Sequence, residues 1–396
     1  MPAHRKNDRF WLRFKAVILR ILMRTGMVLH GYPFPRPPCP TFTRNIRPST
    51  SHSSSLSSYK NIALHFYTPK TYKKGSSKRW PVVVNFHGGG FTIGRPTDDA
   101  RWARMAVETA NAVVVSVGYR LAPEFPFPAA VDDGVDALLY LEQHAAELSL
   151  DITRISMTGF SAGGNLAISV TLRLYQRTAA SATQPEVLTP YTDEESDADT
   201  AFNLNQADTN QILLNTAEQQ QSGACTPSQD RTNPATNLRI LSIFSWYPVL
   251  DFALPRHARR TRSKNPDKGL PPFLTELFDE SYVPHRPDRH SPFASPIRAE
   301  PQLLRDALPA DVWLYVCEWD MLLEEGQEFA KLLEGIGKNV RSMMVEQQKH
   351  AWDKSPNPFR DQGMVDVLYL AAVEEMRGVF ERAEWESGGG RDGSRL

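Results

Sequence analysis

A chain of 396 residues has room for one large α/β domain with attachments, or for two domains of ordinary size. Apolar residues make up 41% and charged residues 23%, as in globular proteins, and 45 Lys and Arg balance 45 Asp and Glu, so no global field draws in nucleic acid or acidic lipid. Three scattered cysteines (Cys39, Cys225, Cys317) without a CxxC pair argue against a disulfide framework and against a zinc site. With no Asn-x-Ser/Thr sequon present, the expected location is intracellular, either cytoplasmic or membrane-associated.

The first thirty residues carry Arg5, Lys6, Arg9, Arg13 and Lys15, but Arg20 and Arg24 cut the apolar stretch that follows. A secretory leader needs an unbroken apolar run of roughly 7–15 residues and a membrane span roughly 20, and neither is met. Phe10, Phe14, Val17, Ile18, Ile21 and Leu22 recur at helical spacing, with arginines on another face. The expectation is an amphipathic helix whose apolar stripe packs on the protein body. The other reading is weak contact with a membrane surface. Residues 31–58, rich in Pro and then Ser, read as a linker, so that 1–60 is an N-terminal attachment.

Order is expected from residue 61 onward. Apolar and β-branched runs at 61–67, 81–86, 112–117, 154–158, 238–246, 312–316 and 341–345 predict strands. Helical spacing at 132–148, 162–174 and 324–333 falls between them, and such alternation predicts a mostly parallel, doubly wound α/β sheet. Residues 179–237 are rich in Thr, Gln, Asp and Ser, and predict a polar, flexible insertion.

Three signals carry chemistry. Gly159-Phe160-Ser161-Ala162-Gly163 sits where a strand ends and a helix begins, which is the context of a nucleophile elbow. His87-Gly88-Gly89-Gly90 directly follows the strand at 81–86. Glycines let a reacting carbonyl approach backbone N–H groups, and one such donor to an oxyanion is worth ~3 kcal/mol. Gly88, Gly89 and Ala162 are therefore the candidate oxyanion hole, while His87 is expected to fix loop shape. The order nucleophile, acid, base supplies the rest. Asp320 ends the late strand run at 312–320, where active sites of open α/β sheets collect, and His350 is the one histidine after it. Glu318, Glu324 and Glu325 compete with Asp320, and Asp353 stands too close to His350 in sequence to orient it comfortably. Ser161, Asp320 and His350 are the candidate triad.

His87-Gly-Gly-Gly, Tyr119-Arg-Leu-Ala-Pro-Glu124, Gly159-Phe-Ser-Ala-Gly-Gly-Asn165 and Asp320-Met-Leu-Leu-Glu-Glu-Gly326 together resemble the motif series of the hormone-sensitive-lipase-like esterases, which include arylacetamide-deacetylase-type enzymes. The resemblance spans residue 61 to the C-terminus. It implies an α/β-hydrolase domain over 61–396 and a helical cap built from the N-terminal helix and residues 252–300. It also implies hydrolysis of short- to medium-chain acyl or aryl esters, small molecules, without a metal or organic cofactor. The chain departs from the family at Phe160, where Asp is usual, and at His350-Ala-Trp, where His-Gly-Phe is usual. Tyr119–Glu124 is expected to brace the sheet edge and cap. Two other functions use the same residues: a non-catalytic small-molecule receptor on this fold, and an acyltransferase or amidase. Neither oligomeric state nor natural substrate follows from the sequence.

Overall fold

The valine-rich runs form the middle of a twisted sheet. The computed structural model describes residues 3–32, 36–50, 61–183, 236–357 and 360–388. In chain order these form α1 (Ala3–Gly31), β1 (Phe42–Ile46), β2 (Ile62–Tyr67), β3 (Trp80–Phe86), α2 (Ala100–Thr109), β4 (Val113–Gly118), α3 (Ala129–Gln143), β5 (Leu150–Phe160) and α4 (Ala162–Thr183). There follow β6 (Ile240–Trp246), α5 (Arg256–Thr261), α6 (Pro272–Tyr282), α7 (Pro301–Ala307), β7 (Asp311–Cys317), α8 (Leu323–Gly335), β8 (Asn339–Val345) and α9 (Gln362–Gly388). Among the described residues eight strands make one sheet in the order β1-β2-β4-β3-β5-β6-β7-β8. β1 pairs with β2 and β2 with β4 antiparallel, and every other pairing is parallel.

Side chains alternate across a strand, so a run of valines serves two cores at once. Val82 and Val84 of β3, with Val113, Val115 and Val117 of β4, pack with Val135 and Leu138 of α3, Leu166 and Val170 of α4, and Phe329 of α8. Val83 and Val114 point the other way, onto Trp102 and Ala106 of α2 and Tyr369, Val373 and Met376 of α9. Each fully buried valine contributes ~1.5–3 kcal/mol. The alternating pattern read from the sequence therefore gives the expected architecture, with helices covering both faces.

Three expectations need correction. Residues 42–46, placed in the linker, form β1, because Phe42 stacks on Phe66 of β2 with ring centroids 4.4 Å apart. The strand lies at the sheet edge with alternate residues exposed, so its apolar signal is short and is diluted by neighbouring prolines. The stripe of α1 expected to face the body faces away from it: Phe10 is 60%, Ile21 58% and Leu22 61% exposed, while Ala16 is buried. Polar ties, beside packing at Ala16, hold the helix. Arg20 donates to the carbonyls of Thr92 and Ala122, each at 2.8 Å, and pairs with Glu124 at 2.7 Å. Finally, residues 179–183 continue α4 and do not begin the insertion. Residues 184–235, the bulk of the expected insertion, lie outside the described residues.

Residues 252–300 contain α5, α6 and three short 3₁₀ turns and, as described, no strand. α6 touches α1, and its Phe278 and Tyr282 reach the loop after β3.

Candidate active site

The parallel strands β3, β5, β6 and β7 all end on one side of the sheet, and the candidate residues sit there. Strand β5 stops at Phe160, and Ser161 takes the left-handed conformation (φ 55°) before α4 begins. A non-glycine residue held there is strained, at a cost of order 1–3 kcal/mol. The turn fits only because its neighbours are small. A Cβ on Gly163 would lie 1.9 Å from the Phe86 carbonyl oxygen, and one on Gly159 would lie 2.1 Å from that of Gly163. Three bonds pin the turn: the Ser161 amide donates to the Trp246 carbonyl at 2.8 Å, and Asn165 Nδ2 donates to the carbonyls of Val249 and Ala294 at 2.7 and 2.8 Å.

Ser161 Oγ lies 2.8 Å from Nε2 of His350, and His350 Nδ1 lies 2.6 Å from Oδ2 of Asp320. Residues 189 positions apart in the chain thus form one hydrogen-bonded relay. Asp320 follows β7, and its Oδ1 accepts the Leu322 amide at 3.1 Å. Its carboxylate is buried and held from both sides, as an orienting acid must be. The loop bearing His350 is stitched to the same strand end, with Trp319 N–H donating to Gln348 O at 2.9 Å. Both segments are therefore tied together at that point.

The loop after β3 closes the other side. A Cβ on Gly88 would meet the Phe160 carbonyl oxygen at 3.0 Å and Ser161 Cβ at 3.7 Å, so the glycine backbone abuts the nucleophile turn. Gly89 has φ 115°, and its carbonyl accepts the amides of Thr92 and Ile93 at 3.0 and 2.9 Å. Ala162 heads α4, where free N–H groups and the helix dipole favour negative charge. His87 is engaged within the loop and with Tyr119. Its Nδ1 lies 2.8 Å from the Gly88 carbonyl, and its ring stacks on Tyr119 at 4.2 Å. The Tyr119 hydroxyl donates to the His87 carbonyl at 2.8 Å, and Arg120 forms a fully buried ion pair with Asp133 at 2.7 Å. With Glu124 holding Arg20, this segment has the contacts of a brace.

The competing acids are engaged elsewhere. Glu318 accepts from the Gln347 amide and pairs with Lys264, and Glu324 faces Arg262 at 3.6 Å. Glu325 is buried, accepts the Leu250 amide at 2.6 Å and leaves Oε2 without a described hydrogen-bond partner. Burial pushes its carboxyl up to about 8, against the nearby Arg259. Asp353 binds the hydroxyls of Tyr247 and Tyr369, and burial beside that carboxylate raises both phenols. The Tyr247 ring lies 5.0 Å from His350, so through this tyrosine Asp353 supports the histidine's wall. Sequence reasoning missed Tyr247 and Tyr369. Neither belongs to a motif, and only the unexplained acid beside His350 hinted at partners.

Phe160 occupies the place where Asp is usual. It lies among Trp102, Trp246, Tyr247 and Tyr369, with centroids 5.6–6.2 Å away, and Lys354 Nζ stands 3.9 Å from its ring centre. The pocket beside the nucleophile is aromatic with one cation, itself paired with Asp99 at 3.0 Å. A cavity of about 740 Å³ lies between α1, the ends of β2 and β4 and the start of α9. It meets the site through His87, Tyr119 and Asp353 but is not lined by Ser161, Asp320 or His350, so it is not the reaction chamber. Among the described residues no three His, Cys, Asp or Glu side chains gather to hold a metal ion.

The family described by the alpha/beta hydrolase fold matches residues 83–245 and 234–354, well over half the chain. The chain belongs to that α/β-hydrolase family. Its described fold agrees: an esterase of the archaeon Pyrobaculum calidifontis aligns over 92% of each chain with a TM-score of 0.63 and 22% identity. A thermostable esterase from Pseudomonas putida aligns over 92% of this chain and 90% of its own, with a TM-score of 0.64 and 20% identity. These likenesses concern the fold alone. Among curated relatives, human arylacetamide deacetylase-like 2 is 28% identical over 315 residues, covering 73% of this chain and 71% of that protein. Carboxylesterase NlhH of Mycobacterium tuberculosis is 49% identical over 87 residues, or 22% of this α/β-hydrolase and 27% of NlhH. Probable carboxylesterase 6 of Arabidopsis thaliana is 41% identical over 125 residues, 29% of this chain and 36% of that protein. With such high-identity relatives the chain shares only about a quarter to a third of their length.

Proposed function

We propose that this α/β-hydrolase is a serine carboxylesterase that cleaves short- to medium-chain acyl or aryl esters of small molecules through an acyl-enzyme on Ser161. The observation that carries the reading is the unbroken relay from Ser161 Oγ through His350 to Asp320, at 2.8 and 2.6 Å. His350 Nε2 takes the hydroxyl proton as Oγ attacks the ester carbonyl, and Asp320 keeps the imidazole in the tautomer that leaves Nε2 free to accept it. The carbonyl oxygen becomes an oxyanion against the amides of Gly88, Gly89 and Ala162. On collapse the C–O bond to the alcohol breaks and the alcohol leaves with the proton from His350. Water, deprotonated by the same histidine, then attacks the acyl-enzyme; the acid is released and Oγ regains its proton.

The cap is part of the proposal. α6 puts Phe278 where a Cβ on Gly90 would lie 2.2 Å from the ring, and it stacks Tyr282 on Phe91 with centroids 3.5 Å apart. Aromatic groups from this segment thus crowd the oxyanion loop and set the space left for acyl and alcohol groups. Support also comes from relatives called carboxylesterases and an arylacetamide deacetylase-like protein. The test is hydrolysis of a p-nitrophenyl ester series by the purified chain and by Ser161→Ala. Turnover lost in the variant supports the proposal; tight ligand binding without turnover in the wild type refutes it.

A further inference from the structure

α1 turns its apolar side to solvent. Ten of the sixteen large apolar side chains exposed among the described residues fall within residues 10–32. At 3.6 residues per turn, Phe10, Phe14, Val17, Ile18, Ile21 and Leu22 lie on an arc of about 140°, centred opposite buried Ala16. The arc is bordered by exposed cations, Arg13 and Arg24 on one edge and Lys15 on the other. The helix cannot roll to hide this face, because Arg20 is fixed by Thr92, Ala122 and Glu124. An exposed apolar patch of this extent marks an interaction surface.

Charge selects the occupant. Exposed cations flank the strip on both edges, Arg13 and Arg24 on one and Lys15 on the other, so two copies meeting through this face would bring like charges together. An apolar strip between rows of cations instead matches a bilayer surface with anionic headgroups, the cations meeting the phosphates and the strip entering the acyl boundary. No described helix is long and apolar enough to cross a membrane, so the contact would lie in the plane of the interface. We infer that α1 docks the protein on anionic phospholipid membranes, with residues 10–22 as the inserting strip. The tie from Arg20 to the loop after β3 then holds the oxyanion loop beside that surface, where membrane-partitioned esters collect.

Vesicle flotation of the full chain tests this, using phosphatidylcholine alone and phosphatidylcholine with one quarter phosphatidylglycerol. Wild type should float with the anionic vesicles and at least tenfold less with neutral ones, and binding should weaken as salt rises. Ile18→Glu with Ile21→Glu should abolish flotation, and Arg13→Glu with Lys15→Glu should lower it about tenfold. Both pairs should keep the wild-type melting temperature and hydrolysis of a water-soluble ester. Ser161→Ala should float like wild type, so docking and catalysis fail separately. No flotation, equal flotation with neutral vesicles, or a dimer in sedimentation that Ile18→Glu dissociates would each overturn the inference.

Discussion

Glu325 gives the fold a pH dependence whose sign can be worked out. Its carboxyl is raised from 4.5 to about 8 in the native state, chiefly by burial. In the unfolded chain it ionises near its ordinary value, so between about 4.5 and 8 the native state holds a proton that the unfolded state has lost. Stability from this group is therefore fully present below 4.5 and falls as pH rises toward 8. One pH unit of displacement is worth about 1.4 kcal/mol, so the whole window amounts to on the order of 4–5 kcal/mol, with the opposing pull of Arg259 already contained in the value of about 8. Glu325→Gln keeps an acceptor for the Leu250 amide at 2.6 Å but removes the titration. Urea unfolding of both proteins at pH 5, 6, 7 and 8 isolates the effect. The variant should gain on the wild type by several kcal/mol from pH 5 to pH 8. A difference that stays flat would show that the side chain is ionised throughout, and the reasoning would be wrong.

Asp320→Asn should lower kcat on p-nitrophenyl esters by roughly ten-thousand-fold with little change in KM, because the amide favours the wrong imidazole tautomer; steady-state kinetics check this. Arg120→Met removes one partner of the buried ion pair with Asp133 and should cost about 3–5 kcal/mol in urea unfolding, since the remaining carboxylate is left uncompensated. Phe160→Asp, which restores the residue usual in related esterases, should destabilise by about 3–5 kcal/mol and not improve turnover. The surrounding side chains are Trp102, Trp246, Tyr247 and Tyr369, and the nearby Lys354 is already paired with Asp99. Thermal melting and esterase assays read out both parts.

Much of the candidate site was legible because its signals are local. Gly159 and Gly163 announce a turn with no room for a side chain at those two positions, and the β3 loop announces backbone donors by its glycines. The order along the chain then left His350 as the one base after Asp320. What escaped was set by tertiary contact. Phe42–Ile46 becomes a strand because Phe66 offers a ring to stack on, which no window around residue 42 contains. The periodicity of α1 correctly gave a helix with an apolar stripe, but periodicity does not say which way a stripe points. Arg20, a half-buried arginine bonded to two carbonyls, decided that. Asp353 looked redundant beside His350 because its partners come from elsewhere, Tyr247 from 106 positions away and Tyr369 from the following helix. α9 shares the covering of one face of the sheet with α2, yet 362–388 had no motif to mark it.

The most direct test of the account is intact-protein mass spectrometry during turnover of a slowly deacylating p-nitrophenyl ester. The account predicts one acyl group per chain, mapped by peptide sequencing to Ser161, absent in Ser161→Ala and accumulating with a stoichiometric burst of nitrophenol. Hydrolysis that proceeds undiminished in Ser161→Ala, or an acyl group found on another residue, would contradict it.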